Sequence, residues 1–359
     1  MTKVLQVLGR SAGGIARHVS QVTAALDGTE GFEVDIAGPV GLPIDMPKPL
    51  LPIDIPDGAL KGHLGAIKRL ASLMGSYDVV HAHGLRAGID TGVAARIRNK
   101  RSLVTVHNLV RSEIAGPRAM LYRRAEAAAV RATDRTFAVS QDIARHLKAA
   151  VPGRANSIEV LYLGIGDPPV VRRSREEVRE QLGIDPDVHL VVSVARLAPQ
   201  KALEVLFEAV CLSDSEVALA VIGEGPLRTD LERHVRSLGI TDKVHFLGFR
   251  RDVADYIAAA DLFCLSSVWE GVPLAAQEAI LLDTPVVGTD VGGMRELIAN
   301  KVSGRLVPSR DPVALAAAVD EVLSEPERAN TYATAALSSL QQRFSTERML
   351  ARLRDAYAG

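Results

Sequence analysis

Short apolar runs rich in Val, Ile and Leu alternate along the chain with longer stretches in which apolar residues recur every three or four positions. The short runs have the length and composition of buried strands, and the longer stretches have helical periodicity. Alternating strands and helices are typical of parallel sheets that helices cover on both faces. The pattern therefore predicts an α/β protein.

Twelve apolar runs predict twelve strands, six in each half of the chain. They are 3–9, 32–38, 78–83, 102–107, 134–140, 158–164, 189–195, 217–223, 243–248, 261–267, 285–289 and 304–308. Between the halves, the stretch "GIGDPPVVRRSREE" at 164–177 interrupts the pattern with paired prolines and charges. We expect two doubly wound domains, 1–166 and 167–343, with a ligand in the cleft between them at the carboxyl ends of strands.

The last residues, 344–359, have a helical pattern of their own. Met349, Leu350, Leu353 and Tyr357 share one face at helical spacing. From the pattern alone, this helix could cap the second domain or cross back onto the first.

Composition places the chain among globular proteins. It has 359 residues, of which 47% are hydrophobic and 24% charged, enough to form a core without disulfides. The two cysteines, Cys211 and Cys264, lie in separate apolar runs, which predicts buried free thiols in a reducing compartment. The N-terminal apolar run is too short for a secretory signal and no run is long enough for a membrane span, so we expect a cytoplasmic protein.

Charge is unevenly distributed. Residues 1–170 contain 21 Lys and Arg against 15 Asp and Glu, a net charge of +6, whereas 171–359 contain 21 against 28, a net charge of −7. This indicates different partners for the two halves, or a solvated surface without functional meaning. The total of −1 and the 4% aromatic content argue against nucleic-acid binding. The segment 117–131 predicts a basic amphipathic helix that contacts an anionic membrane.

Candidate residues of the first half follow predicted strands. Gly13 and Gly14 precede a helix, where exposed amides and the helix dipole suit a phosphate, although a plain turn would also use glycines. No G-x-G-x-x-G occurs there, which disfavours a nicotinamide oxidoreductase. Histidines end the next strands in "HAHG" (81–84) and "TVHN" (105–108), where they could bind a ligand, act as bases, or be structural. A metal site at His81, His83 and His107 lacks the carboxylates or thiolates usual for zinc.

The second half places cations and glycines at strand ends. Arg196 and Lys201 lie in the loop after 189–195 and can bind two phosphates. Gly223 and Gly225 allow a close backbone approach, and Pro226 is expected to begin a helix. Leu247, in "HFLGF", offers backbone to a nucleotide base.

The stretch "EGVPLAAQE" (270–278) places two carboxylates around a helix start. Pro273 fits the first turn of the predicted helix, with Glu270 in the loop before it and Glu278 on the helix. The amides of Gly271, Val272 and Leu274 lie between them. This arrangement suits a sugar nucleotide, with one carboxylate for sugar hydroxyls, the amides for the diphosphate and the other carboxylate for the ribose.

Taken in order, "GGIARHV", "HAHG", "TVHN", "ARLAPQK", "GEGP", "FLG", "EGVPLAAQE", "TPVV" and "GGMRELI" resemble the retaining glycosyltransferases of family 4, which have the GT-B fold. The resemblance covers nearly the whole chain. It implies an acceptor-binding domain at 1–166, a donor-binding domain at 167–343, and a C-terminal helix, 344–359, that packs back on the first domain. It implies transfer of a hexose from a UDP- or GDP-sugar to a glycan, lipid-linked or small-molecule acceptor in cell-envelope or exopolysaccharide synthesis.

The resemblance also implies residue roles. It assigns Arg196 and Lys201 to the donor diphosphate, Glu270 to the donor sugar and Glu278 to the ribose. His107 matches the family's active-site histidine. We expect His18, His83 and Asn108 to bind the acceptor, and Gly13 and Gly14 to approach the diphosphate and the acceptor.

Three further expectations concern the reaction. No protein nucleophile is expected, because same-face attack assisted by the leaving phosphate is the usual proposal for the family. No metal ion is expected, because no D-x-D motif lies where it could hold one. The motif "DPD" (185–187) precedes a strand and therefore lies at the wrong end of the sheet. No cofactor is expected besides the nucleotide sugar.

The chain departs from the family pattern at four positions. Ala195 and Ala202 stand where glycines often flank the Arg–Lys loop, Val272 stands where Phe is frequent, and Asp283 stands where Gly often precedes "TPVV". None of these changes removes a charged group. Two other functions stay open, a sugar-nucleotide epimerase of GT-B fold and a non-catalytic nucleotide-sugar sensor.

Overall fold

The computed structural model describes residues 1–10, 14–29, 31–41, 45–56, 62–108 and 119–359. The chain divides into two compact units. Unit 1 comprises Met1–Gly164 and Phe344–Gly359, and unit 2 comprises Ile165–Arg343.

Unit 1 contains a seven-stranded sheet in the order β3-β2-β1-β4-β5-β6-β7, with every described pair parallel. Its strands are β1 (Thr2–Leu8), β2 (Phe32–Gly38), β3 (Leu51–Pro52), β4 (Val79–His83), β5 (Arg101–Val106), β6 (Arg135–Ala138) and β7 (Ile158–Val160). Its described α-helices are Gly14–Leu26, His63–Leu73, Leu85–Arg98, Ala119–Ala132, Gln141–Ala150 and Thr346–Ala358. The last of these is the C-terminal helix.

The C-terminal helix completes the core of unit 1. Met349, Leu353 and Tyr357 are buried in one apolar cluster with residues of β1, β2 and the helix Gly14–Leu26. The helix begins where the Oγ of Ser345 accepts a hydrogen bond from the amide of Arg348, a side-chain N-cap. Of the two placements that the pattern allowed, the structure therefore shows the one on unit 1.

Unit 2 contains a six-stranded parallel sheet in the order β10-β9-β8-β11-β12-β13. Its strands are β8 (His189–Val194), β9 (Val217–Ile222), β10 (Val244–Gly248), β11 (Leu262–Leu265), β12 (Val286–Thr289) and β13 (Arg305–Val307). Its α-helices are Arg175–Leu182, Leu203–Leu212, Arg228–Leu238, Val253–Ala259, Leu274–Leu281, Met294–Leu297, Pro312–Ser324 and Pro326–Arg343.

Both units are Rossmann-like, so the predicted α/β class is confirmed, and each of the twelve predicted runs overlaps a strand. The short strand Leu51–Pro52 was not predicted. Two local predictions were wrong. Cys211 is exposed because it lies on the outer side of its helix, whereas Cys264 is buried and its burial raises the pKa of the thiol to about 12. Pro226 lies in a turn, and the helix begins only at Arg228.

Candidate active site

The strand order of unit 2 reverses between β8 and β11, and in such sheets ligands bind beyond the carboxyl ends of the strands at that point. The loop after β8 carries Arg196 and Lys201, and the loop after β11 carries Glu270. Topology therefore brings residues that are distant in sequence to one edge of the sheet.

Lys201 and Glu270 form an ion pair across this edge. Nζ of Lys201 lies 2.6 Å from Oε1 of Glu270, and the hydroxyl of Ser267 donates to the same oxygen at 2.5 Å. The side chain of Glu270 is only 5% exposed and that of Lys201 17%. A buried carboxylate needs such partners, because leaving it unpaired would cost several kcal/mol.

Further hydrogen bonds fix the two loops to each other. The Nε2 of Gln200 donates to the carbonyl of Trp269 at 2.7 Å, and the amide of Val268 donates to the carbonyl of Gln200 at 2.9 Å. The hydroxyl of Ser266 donates to the carbonyl of Lys201 at 2.9 Å. The Lys201–Glu270 geometry is therefore held by backbone as well as by charge.

Ala202 follows Lys201 in the left-handed conformation, with φ of 42° and ψ of 46°. Asp283 also has a positive φ, 55°. Both are positions where the family often has glycine. Ala202 and Asp283 thus adopt a backbone conformation that favours glycine. For an alanine, the left-handed conformation costs about 1 kcal/mol.

Gly292 and Gly293 support the Glu270 loop from the other side. A Cβ at Gly292, whose φ is +45°, would lie 2.0 Å from the carbonyl oxygen of Glu270, and one at Gly293 would lie 1.5 Å from that of Gly271. The amide of Gly293 donates to the carbonyl of Glu270 at 3.2 Å. Only glycine allows this approach, so the pair fixes the position of the Glu270 backbone.

The helix Leu274–Leu281 begins directly after this loop, with Pro273 as its N-cap rather than inside its first turn. Gly271 and Val272 are buried and Leu274 is half-buried. Glu278 is half-buried on the helix. The helix N-terminus thus lies directly after the loop that carries Glu270, and its positive dipole end suits an anion.

The remaining predicted donor residues lie at neighbouring strand ends. Arg196 is exposed. A Cβ at Gly223 would lie 2.1 Å from the carbonyl oxygen of Ala195, and one at Gly225 would lie 2.3 Å from that of Leu197. These glycines therefore hold the loop after β9 against the Arg196 loop. Leu247 lies at a bulge where the pairing of β10 with β9 shifts, which leaves its backbone outside the regular ladder.

Unit 1 has its own reversal of strand order, between β1 and β4. His81 and His83 lie on β4, His107 follows β5, and His18 lies on the helix Gly14–Leu26. All four are buried, with exposures between 0% and 6%. The ring of His18 stands edge-on to those of His83 and His107, with centroids 5.5 Å away in each case.

Burial lowers the pKa of each of these histidines. It lowers the pKa of His18 to about 4 and that of His81 to about 3, and it lowers those of His83 and His107 well below the usual value. The charged form is disfavoured first by loss of water and, for the last three, also by neighbouring histidines. The four rings are therefore neutral at physiological pH.

Other predicted residues of unit 1 are placed as follows. Gly14 is exposed at the start of its helix, and Asn108 is exposed after His107. Gly13 lies outside the described residues. Within the described ranges, no group of three or more His, Cys, Asp or Glu side chains could hold a metal ion. No helix in the same ranges is long and apolar enough to cross a membrane.

The sequence did not indicate several residues that shape these sites. Ser267 holds Glu270, and Gln6 and Tyr357 hydrogen-bond the histidines. The glycines at 292 and 293 had a sequence signal in "GGMRELI", and Tyr357 was indicated only as part of an apolar helix face.

The two Rossmann-like units match a glycosyltransferase of the GT-B fold. The family model for glycosyl transferases group 1 matches residues 174–338, and the model for glycosyltransferase family 4 matches residues 12–167. The chain belongs to family 4, as the sequence resemblance predicted.

Individual proteins support this assignment. The D-inositol 3-phosphate glycosyltransferase of Xylanimonas cellulosilytica is 30% identical over 304 residues, which are 79% of this chain and 72% of that protein. The protein of the same name from Streptosporangium roseum is 29% identical over 333 residues, 85% of this chain and 75% of that protein. Among solved structures, HepE of Anabaena in complex with UDP and glucose has a TM-score of 0.85 at 22% identity and covers 100% of both chains.

Proposed function

We propose that this glycosyltransferase transfers a hexose, with retention of configuration, from a UDP- or GDP-sugar to an acceptor that unit 1 binds. The observation that carries the proposal is the buried Lys201–Glu270 pair at the strand reversal of unit 2, with the exposed Arg196 in the same loop as Lys201. The two cations, Arg196 and Lys201, and a helix N-terminus suit a diphosphate, and the carboxylate of Glu270 suits sugar hydroxyls. HepE, which shares the fold, was crystallised with UDP and glucose.

In this proposal Lys201 and Arg196 stabilise the charge that develops on the leaving nucleoside diphosphate. Glu270 accepts hydrogen bonds from the donor sugar, and Glu278 accepts them from the ribose. The backbone of Leu247 contacts the base. No side chain is assigned as a nucleophile, because the incoming hydroxyl attacks from the face that the diphosphate leaves. Since the two cations carry the charge stabilisation, we propose that no metal ion is required.

The acceptor side rests on unit 1. His107 contacts the reacting sugars, and His18 and Asn108 bind the acceptor, which is a glycan, a lipid-linked sugar or a small molecule of cell-envelope or exopolysaccharide synthesis. His83, which was also expected to bind the acceptor, has both ring nitrogens hydrogen-bonded inside unit 1 and therefore supports the site by holding His107. The net charge of +6 over residues 1–170 favours an anionic acceptor. Because the relatives are named D-inositol 3-phosphate glycosyltransferases, D-inositol 3-phosphate is the first small acceptor to test.

Calorimetric binding of UDP, GDP and ADP, with and without EDTA, tests the donor site. We expect micromolar binding of UDP or GDP that EDTA does not change. The preferred nucleotide is then offered as its common sugar conjugates, with and without acceptor.

Three other outcomes would contradict the proposal. Conversion of the donor without an acceptor would indicate an epimerase. Binding without turnover would indicate a sensor. Failure of all three nucleotides to bind would show that the Lys201 site is not a donor site.

A further inference from the structure

Five buried side chains of unit 1 form one continuous chain of hydrogen bonds. Nε2 of His107 lies 3.1 Å from Nδ1 of His83, and Nε2 of His83 lies 2.6 Å from Oε1 of Gln6. Nε2 of Gln6 donates to the hydroxyl of Tyr357 at 2.9 Å, and that hydroxyl lies 2.7 Å from Nδ1 of His81. The chain thus connects the end of β5 to the C-terminal helix.

The orientation of the Gln6 amide fixes the direction of every bond toward His107. A carbonyl oxygen can only accept, so Nε2 of His83 must carry its proton. His83 is neutral and has a single N–H, and its Nδ1 therefore accepts from Nε2–H of His107. The Nδ1 of His107 is then left as the nitrogen with a lone pair.

We propose that Gln6 and Tyr357 are positioning residues that hold His107, through His83, in the tautomer protonated on Nε2. Tyr357 contributes by accepting from the amide nitrogen of Gln6 and so keeping the amide oxygen turned toward His83. If the amide were turned over, all of these bonds would reverse and His107 would carry its proton on Nδ1. Two residues 351 positions apart in the chain therefore determine which nitrogen of His107 is protonated.

The functional consequence rests on the proposed function of His107. Since its Nε2 is bonded to His83, Nδ1 is the ring nitrogen left for substrate. In the tautomer set by Gln6, that nitrogen accepts a hydrogen bond from a sugar hydroxyl. In the other tautomer it would present N–H and could not accept.

Nitrogen-15 NMR of the histidine rings in the full-length protein measures the tautomer without substrate. We expect His107 to be protonated on Nε2 in the wild type. In Gln6→Met, which keeps the volume but removes the acceptor, the proton of His83 should move to Nδ1 and His107 should become protonated on Nδ1, because a buried donor without a partner is costly. Tyr357→Phe should give a mixture of both tautomers.

Thr136→Val is the matched control. It removes a buried hydroxyl of unit 1 that has no hydrogen-bond partner among the residues that the structure describes, so it leaves the chain intact. It should leave His107 protonated on Nε2. A wild-type His107 protonated on Nδ1, or a tautomer that Gln6→Met does not change, would overturn the proposal. Circular dichroism establishes that each variant is folded.

Kinetic measurements distinguish the tautomer of His107 from its role in the proposed reaction. We expect Gln6→Met to lower kcat by about 5- to 150-fold, with a smaller change in the donor KM, because only a minor fraction keeps the accepting nitrogen. If the tautomer changes while kcat does not, the hydrogen-bond inference stands and the role of His107 in the proposed function falls.

Discussion

Nζ of Lys201 lies 2.6 Å from Oε1 of Glu270, so the cation assigned to the diphosphate contacts the carboxylate assigned to the sugar. The two residues come from loops after different strands, 69 positions apart. Each is therefore the charged partner of the other. Substitution of either one is expected to affect both the fold of the loop and the binding of the donor.

Lys201 and Arg196 should differ in what their loss does. Lys201→Met and Arg196→Met are each expected to weaken nucleotide binding by about one to two decades, because each removes a charged hydrogen bond worth about 1.5–3 kcal/mol. Only Lys201→Met should also destabilise unit 2, by about 3–5 kcal/mol, since it leaves a buried carboxylate unpaired.

Calorimetry and denaturant unfolding followed by Trp269 fluorescence measure the two effects. Trp269 is the single tryptophan and lies in unit 2. The double variant Lys201→Met, Glu270→Gln should recover stability but not affinity. Equal losses of stability for the two single variants would contradict the structural account of the pair.

Ala202→Gly should not destabilise the protein, although alanine-to-glycine changes in helices usually cost about 1 kcal/mol. The left-handed φ of Ala202 means that glycine relieves strain, which offsets the greater freedom of the unfolded chain. Ala209→Gly, inside the helix Leu203–Leu212, is the matched control and should cost about 1 kcal/mol or more. Similar losses in both variants would show that Ala202 is not strained.

Gly293→Ala should disturb the Glu270 loop. Its Cβ would lie 1.5 Å from a backbone oxygen, so the loop itself must move. We expect a loss of nucleotide affinity and a lower melting temperature. Gly153→Ala, whose added Cβ would meet nothing within 4 Å, should change neither. Normal nucleotide binding by Gly293→Ala would show that the Glu270 loop is not part of the donor site.

The buried histidines should make unit 1 sensitive to acid. Their folded pKa values lie below the unfolded value of about 6.5, so the unfolded state binds more protons. The contribution of these neutral histidines to the free energy of unfolding is fully present above about pH 6.5. It is lost as the pH falls toward 4, at about 1.4 kcal/mol per pH unit for each histidine.

His18→Leu should reduce this dependence. Neither ring nitrogen of His18 has a hydrogen-bond partner among the residues that the structure describes, so the variant should also be more stable near neutral pH by about 1 kcal/mol. Far-UV circular dichroism from pH 7.5 to 4.5 reports both units, while Trp269 fluorescence reports unit 2 alone. Loss of both signals together would argue against an origin in unit 1.

The helix Ala119–Ala132 should bind anionic membranes. Met120 and Leu121 are 65% and 56% exposed, and Arg123 and Arg124 are exposed beside them. Sedimentation with anionic liposomes should show binding that salt weakens and that Arg123→Glu, Arg124→Glu abolishes. Arg233→Glu, Arg236→Glu in unit 2 is the charge-matched control. If the protein does not bind anionic liposomes at low salt, the predicted membrane contact is wrong.

The elements were largely predictable because strands buried on both faces leave continuous apolar runs. Leu51–Pro52 was missed because two residues, one of them proline, give no such run. The charged residues of the donor loops were also recognisable, from their positions after strands. Their pairing was not, because contact between Lys201 and Glu270 depends on the strand order. The same holds for Gln6 and Tyr357, which lie at opposite ends of the chain and become neighbours only when the C-terminal helix packs on β1.

The return of the chain to unit 1 has a consequence for biosynthesis. Unit 2 is one uninterrupted segment, 165–343, whereas unit 1 needs residues that the ribosome adds only after that segment. Until then the histidine chain lacks Tyr357 and the apolar cluster around it is uncovered. Domains usually fold in the order of synthesis. Here unit 2 can be completed before unit 1. Most of unit 1 is synthesised earlier, but its core is completed only when residues 344–359 have been added.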